Sequence, residues 1–387
     1  MDPPSAALTG AGLLLLGIGI ALAQLVRTRR RRGISFKKAG AAVFLPQDMI
    51  LKAKEQNERL REFIDGLRIT QASAEYYHDL GDSLRQKGEL ESAILLRQHM
   101  MDHPALSEEE KKKAWFALGL DYRQSGMLNK AAETFGALLQ ADPNHADAGR
   151  NLVYLYEELQ EWDQAILARK RVDKILNKSS PAILAHYQTE LGKKLAAGNP
   201  VLAEQNFGQA IKTHRQCLDA YLHLGDLYLD SRMTGKAFEI WSLAAAVAPA
   251  YAHLIISRLR RIAFNDRAME EAVAKIFPAV NDLHPLPLLE LSKWYLSREK
   301  DYKAMTLLNL ALEKAPGFLA AHDLRGQILV KQNHNTPLYG DYQKLLNQIK
   351  DKTSTGYRCR HCGFTSYSLS WQCPRCRHWD SIDALTA

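Results

Sequence analysis

Three patterns of hydrophobic and polar positions divide the chain. From Ser5 to Val26 the run is apolar and uncharged, with four leucines at 13–16 and Ile18 and Ile20 beyond them. As a helix, 22 residues rising about 1.5 Å each span roughly 33 Å, enough to cross a hydrocarbon core of about 30 Å. From 74 to 350 apolar positions recur at helical spacing in paired segments. Between these stretches, Leu60, Phe63, Ile64 and Leu67 mark an amphipathic helix within a juxtamembrane linker of 27–70. Beyond 355 the pattern passes to cysteines and aromatics.

The paired segments repeat. One unit reads Trp115, Leu118, Gly119, Tyr122, Gly126, Ala131, Phe135, Leu138, Pro143, and a second reads Tyr221, Leu224, Gly225, Tyr228, Ala237, Trp241, Ala244, Pro249. Both match the tetratricopeptide pattern position by position. Partial copies run through Leu80, Gly81, Leu84, Gly88 and Ala93, and through Leu152, Tyr156, Trp162, Ala165 and Val172. Ala203, Phe207 and Ala210 mark the second helix of another, Leu288 to Pro316 a late copy, and 251–281 a degenerate hairpin. In each unit a small residue (Gly81, Gly119, Gly225) is expected to admit the second helix, with Ala93, Ala131 and Ala237 facing it. One hairpin cannot bury its own apolar face, so several must stack. The predicted fold is therefore an all-α tetratricopeptide-repeat solenoid. Trp115 and Trp241 read as core positions, and Cys217 as a small buried hydrophobe with no catalytic His–Asp pair following it. Asp82, Leu120 and Asp226 stand where some repeat domains place an asparagine to clamp a terminal carboxylate. Two acids and a leucine disfavour that partner.

Charge adds the topology. The net charge of +8 owes most of its excess to Arg27, Arg29–Arg32, Lys37 and Lys38, a block with no acidic residue. Directly after the apolar run, such a block resists translocation, so 5–26 reads as a single transmembrane helix with everything after Arg27 in the cytoplasm. A cleaved signal peptide is the competing reading, because Ala21-Leu22-Ala23 resembles a processing site; Asp2 and the absence of an early Lys or Arg oppose it. Gly19 and Ala23 offer a small-xxx-small contact, which leaves a homo-oligomer open. No aromatic or glycine-rich interleaving accompanies the basic block, so no nucleic acid is expected there.

Four of the five cysteines gather in two CxxC turns, Cys359/Cys362 and Cys373/Cys376. That spacing closes four thiolates on one ion and leaves no open position, which points to a structural metal. One zinc ion is the expected occupant of a domain at 355–387, with iron as the alternative. Gly363 suits the positive φ such a turn needs, and Pro374 stiffens the second turn. His361 and His378 read as surface residues. Arg358, Arg360, Arg375 and Arg377 around the turns motivate a zinc-ribbon nucleic-acid binder, and iron would make an electron-transfer protein.

The run from Tyr357 through Phe364, Thr365, Tyr367, Leu369, Trp371 and Arg377 to Trp379, with its four cysteines, resembles the rubredoxin-type tail of the lipopolysaccharide assembly protein B family. The order of anchor, repeats and tail is similar too. The resemblance implies a bacterial inner-membrane adaptor, not an enzyme, that promotes turnover of the lipid A-committing deacylase with the membrane protease FtsH. It also implies contact with other lipopolysaccharide assembly proteins, and a metal role for Cys359, Cys362, Cys373 and Cys376. The longer basic N-terminus, and the lack of a clear first repeat in 36–70, depart from the family pattern.

Overall fold

A computed structural model describes residues 64, 66–262, 265–277, 279–333 and 356–385. The apolar run of 5–26, the basic block and most of the 27–70 linker lie outside the described residues, as does 334–350 at the end of the expected repeat region. Among the described residues no helix is long and apolar enough to cross a membrane.

The chain divides into two compact units, Met1–Asn177 and Lys178–Ala387. Among its described residues the first carries three hairpins: α1 (Ala74–Gln86) with α2 (Leu90–Asp102), α3 (Glu108–Gln124) with α4 (Leu128–Ala141), and α5 (Ala146–Glu158) with α6 (Trp162–Ile175). Ile64, Leu67 and Ile69 are buried against Tyr77, Leu80 and Leu96, so the chain ahead of α1 covers the first hairpin's apolar face. Local chemistry sets the helix ends. Ser107 caps α3 through Glu110 N–H with three glutamates in the first turn, and Asn199 caps a helix that opens on Pro200.

The second unit continues the motif with α7 (Pro181–Leu195) and α8 (Pro200–Thr213), then α9 (Leu218–Asp230) and α10 (Thr234–Val247). Next come the short α11 (His253–Leu259) with α12 (Asp266–Ile276), then α13 (Pro285–Ser297) with α14 (Asp301–Lys314), and finally α15 (Leu319–Asn333). The hairpin read as degenerate is the one whose first helix is curtailed to 7 residues. A three-stranded antiparallel sheet in the order β2-β1-β3 closes the chain: β1 (Gly356–Cys359), β2 (Thr365–Ser366) and β3 (Ile382–Leu385). Trp241 is fully buried, whereas Trp115 is half-buried.

The small helix-A residues admit a different partner from the one expected. Ala93, Ala131 and Ala237 are buried, but the side chain over each glycine comes from one turn later. A Cβ on Gly119 would stand 2.6 Å from the Phe135 ring, one on Gly81 2.6 Å from Arg97 Cζ, and one on Gly225 inside the Trp241 indole. Gly192 meets Phe207 in the same way. Helical side chains lean toward the helix N-terminus, which carries the larger residue back over the glycine. Gly225→Ala is therefore expected to destabilise the fold by about 1–3 kcal/mol through overpacking. Gly208 in α8, with nothing within 4 Å of its Cβ, is the control: Gly208→Ala is expected to stabilise by up to about 1 kcal/mol through helix propensity. Denaturant midpoints of the two variants, moving in opposite directions, check the pair.

Candidate metal centre

The two CxxC segments fold into matching turns. Gly363 N–H donates to Cys359 O at 2.9 Å and Arg377 N–H to Cys373 O at 2.8 Å, while Cys359 N–H bonds Phe364 O and Cys373 N–H bonds His378 O. The residue after each second cysteine is left-handed: Gly363 at φ 72° and Arg377 at φ 59°. Only the first of these carries the glycine that this conformation favours.

These turns bring Sγ of Cys359, Cys362, Cys373 and Cys376 within 4.8 Å of one another. Cys359 and Cys376 sulfurs are 3.6 Å apart, and those of Cys362 and Cys373 3.7 Å. A disulfide needs about 2.05 Å. A tetrahedron with metal–sulfur bonds of about 2.3 Å has edges of about 3.8 Å, so the cluster has the dimensions of a four-thiolate cage. Cys359 and Cys373 are buried, and Cys362 and Cys376 half-buried. Burial opposes charge on Cys359, but the Ser381 hydroxyl and the backbone of Cys362 and His361 bring its thiol down to about 5. The backbone of His378 favours a Cys376 thiolate, whereas burial and the three neighbouring sulfurs push its thiol up to about 12. Four thiolates this close repel one another, and a cation among them removes the repulsion. His361 and His378 are exposed, their ring centroids 3.6 Å apart.

The sequence leaves open whether the tail packs on the repeats or binds another partner. The tail lies on the first helices of two hairpins of its own unit. His186 of α7 is fully buried; its Nε2 lies 2.6 Å from Asp380 Oδ1 and its ring stacks on Trp379 at 4.8 Å. Tyr187 meets the same indole edge-on at 5.9 Å, and Trp371 packs on the core of this unit. At the short α11, Tyr357 O–H lies 3.0 Å from His253 Nε2, and Tyr251 O–H donates to Ile382 O at 3.3 Å. Burial holds the His253 pKa below the usual imidazole range; with Nδ1–H donating to the Ala250 carbonyl at 3.3 Å, Nε2 of the neutral ring accepts a hydrogen bond from Tyr357 O–H.

Cys217 is fully buried, as expected of a small hydrophobe, but its surroundings are more polar than expected. His186 Nδ1 lies 4.0 Å from its sulfur and Thr189 Oγ1 3.7 Å. A cysteine, a histidine and an aspartate thus stand in line, yet the thiol and the imidazole have no exposed surface, so no substrate reaches them. Of the residues at the carboxylate-clamp position, Asp82 binds Arg85 and Arg97 and Asp226 binds Arg258 and Arg261; Leu120 is half-buried.

The His186–Asp380 pair has a pH signature. Burial disfavours the imidazolium, but bonding to Asp380 and the proximity of Cys217 outweigh it and raise the pKa from 6.5 to about 10. The folded value exceeds the unfolded one, so this stabilisation is complete below about pH 6.5 and is lost as pH rises through about 10. The thermal midpoint of the protein is expected to fall across that window and to fall less in Asp380→Asn. Identical profiles would show that the pair contributes nothing.

Comparison with known proteins finds matches to a segment of the repeats and to the tail. Residues 357–384 match the family model described as a rubredoxin metal binding domain, and 122–185 match a tetratricopeptide repeat model. The lipopolysaccharide assembly protein B of Escherichia coli K12 is 23% identical over 376 residues, covering 92% of this chain and 93% of its own. Its counterpart from Haemophilus influenzae is 25% identical over 371 residues, covering 92% and 88%. Among solved structures, a tetratricopeptide repeat protein from Parabacteroides merdae overlaps 67% of this chain and 99% of its own at 18% identity and a TM-score of 0.32. Repeats, tail and similarity along nine-tenths of its length together make the chain similar to the lipopolysaccharide assembly protein B family, with tetratricopeptide repeats followed by a metal-binding domain.

Proposed function

We propose that the chain is a membrane-tethered adaptor in lipopolysaccharide assembly, holding partner proteins together and transforming no substrate. The observation that carries this reading is a repeat body whose cysteine tail is docked onto it, in a chain similar along nine-tenths of its length to proteins named for lipopolysaccharide assembly. Cys359, Cys362, Cys373 and Cys376 hold one zinc ion. With all four positions filled by thiolate, the ion's contribution is to bind the tail's turns together. The apolar stretch of 5–26 and the arginines after it confine the body to the cytoplasmic face of the inner membrane. Confinement to a surface raises the effective concentration of partners, so modest affinities suffice.

By the family resemblance, the partners are the membrane protease FtsH, the deacylase that commits carbon to lipid A, and other assembly proteins. Crosslinking in native membranes, followed by affinity purification of the full chain, is expected to recover a membrane protease or enzymes of lipopolysaccharide synthesis. Recovery of neither overturns the reading. The tether is tested separately: a chain fully soluble after lysis without detergent has no anchor.

A further inference from the structure

The metal ligands and the docking contacts meet in three consecutive residues. Trp379 stacks on His186, Asp380 pairs with His186, and Ser381 turns the other way to bring its Oγ within 3.3 Å of Cys359 Sγ. The backbone explains the divergence. Asp380 sits in the left-handed region at φ 49°, a conformation that Asp and Asn tolerate better than other non-glycine residues. Asp380 N–H donates to Trp371 O at 2.9 Å, Arg360 Nη2 donates to Asp380 O at 2.6 Å, and Arg360 N–H donates to Ser381 O at 2.7 Å. These bonds tie the turn to Arg360, inside the first CxxC segment, and to Trp371, two residues before the second.

Ser381 is buried, and its Oγ also lies 2.9 Å from the His378 carbonyl. It has one hydroxyl proton. In the structure it goes to the His378 carbonyl while the Cys359 thiol donates to Oγ; with Cys359 a thiolate, the form a metal takes, the hydroxyl is free to turn its proton to the sulfur. Asp380 reaches a fully buried imidazole of α7 and touches no cysteine.

We propose that metal retention and docking of the tail are a single linked equilibrium, transmitted through Asp380 and Ser381. Docking on His186 fixes the turn that aims the Ser381 hydroxyl at Cys359, so the docked tail holds its ion more tightly than a free one. By reciprocity, the ion favours the docked form by the same factor. Ser381 is thus a positioning residue for the thiolate, and Asp380 acts on the metal through it. The inference assumes the metal-holding tail proposed above but needs no partner protein.

The test uses the full chain in detergent, loaded with zinc. Zinc release to a chromogenic chelator is followed beside amide exchange of α7. Ser381→Ala is expected to speed release by roughly 10–100-fold, the range seen when groups behind metal ligands are removed. Asp380→Asn, which keeps size and tolerates the left-handed backbone, is expected to speed release by roughly tenfold although it contacts no ligand. It is also expected to raise exchange in α7. His186→Gln, on the other side of the contact and 173 residues before the first ligand by numbering, is expected to repeat the Asp380→Asn result. Wild-type release rates in Asp380→Asn and His186→Gln overturn the coupling while leaving the metal site standing. A wild-type chain that takes up no zinc overturns both the metal assignment and the coupling.

Discussion

Replacing Cys373 with serine, or stripping the metal with a chelator, is expected to unfold the tail entirely and to expose the faces of α7 and α11 beneath it. The reason is the tail's composition. Its buried hydrophobic residues are Cys359, Cys373 and Ile382, with Tyr357, Cys362, Phe364, Leu369 and Cys376 partly buried around them. One aliphatic side chain and a cluster of thiols do not make a core. Strands of 4, 2 and 4 residues are too short to stand without one. A structural zinc site supplies on the order of 10–16 kcal/mol of folding free energy, far more than this tail can draw from burial. His186, Tyr187, Tyr251 and His253 lose their partners in the same event. Amide exchange should therefore rise in residues 181–195 and 253–259, which lie far from the cysteines in sequence. Stronger exchange confined to 356–385, with α7 and α11 as protected as before, would show that the tail rests on the repeats without supporting them.

The repeat frame was legible because each position in it answers a packing demand. A large side chain needs a small one opposite, and a hairpin needs its neighbour. The pattern names the small residues but not the side chain that leans over them, so Gly119 was paired with Ala131 when Phe135 occupies the space. Turn geometry was readable only where glycine marks it. Gly88 and Gly126 are left-handed at the end of their first helices, and Gln160, Arg232 and Glu299 take the same conformation at the corresponding point of later repeats. The first helix of the α7–α8 hairpin went unread because its second helix carried the recognisable Ala203, Phe207 and Ala210, while α7 offers Gly192 against Phe207 and little else. Cysteine spacing pointed to the sulfurs that converge. Nothing local points to their support: His186 and Asp380 are 194 positions apart, and no periodicity links a helix face to a strand turn at that distance.

Arg97→Met is expected to destabilise the first unit by about 3–5 kcal/mol, because it strands a buried carboxylate. Arg97 occupies the seat that Phe135 and Trp241 fill in other repeats, over Gly81, and like them it is fully buried. Its guanidinium bonds Asp82 at 2.6 Å, His78 O at 3.0 Å and His78 Nδ1 at 2.9 Å. Nε stands 3.8 Å from Oδ2 of Asp121, which has no exposed surface, and the other Asp121 oxygen is held by Arg85 at 3.0 Å. Burial dominates both partners. It lowers the Arg97 pKa, and it raises Asp121 to about 6 against the opposing pull of the two arginines. Such a network costs nearly as much to bury as it returns, yet it is expensive to break from one side. With Arg97 gone, the Asp121 pKa rises further, because one of the two arginines that favour its carboxylate is lost, and ionising it costs more. Protonation removes that cost, so the deficit of Arg97→Met should narrow as pH falls from the variant's higher Asp121 pKa toward about 6, below which the carboxyl is protonated in both proteins. Adding Asp121→Asn should recover much of the loss at pH 7, a non-additivity that a double-mutant cycle measures directly. A single variant that loses less than about 1 kcal/mol, or a deficit indifferent to pH, would mean that Arg97 fills its seat by shape alone.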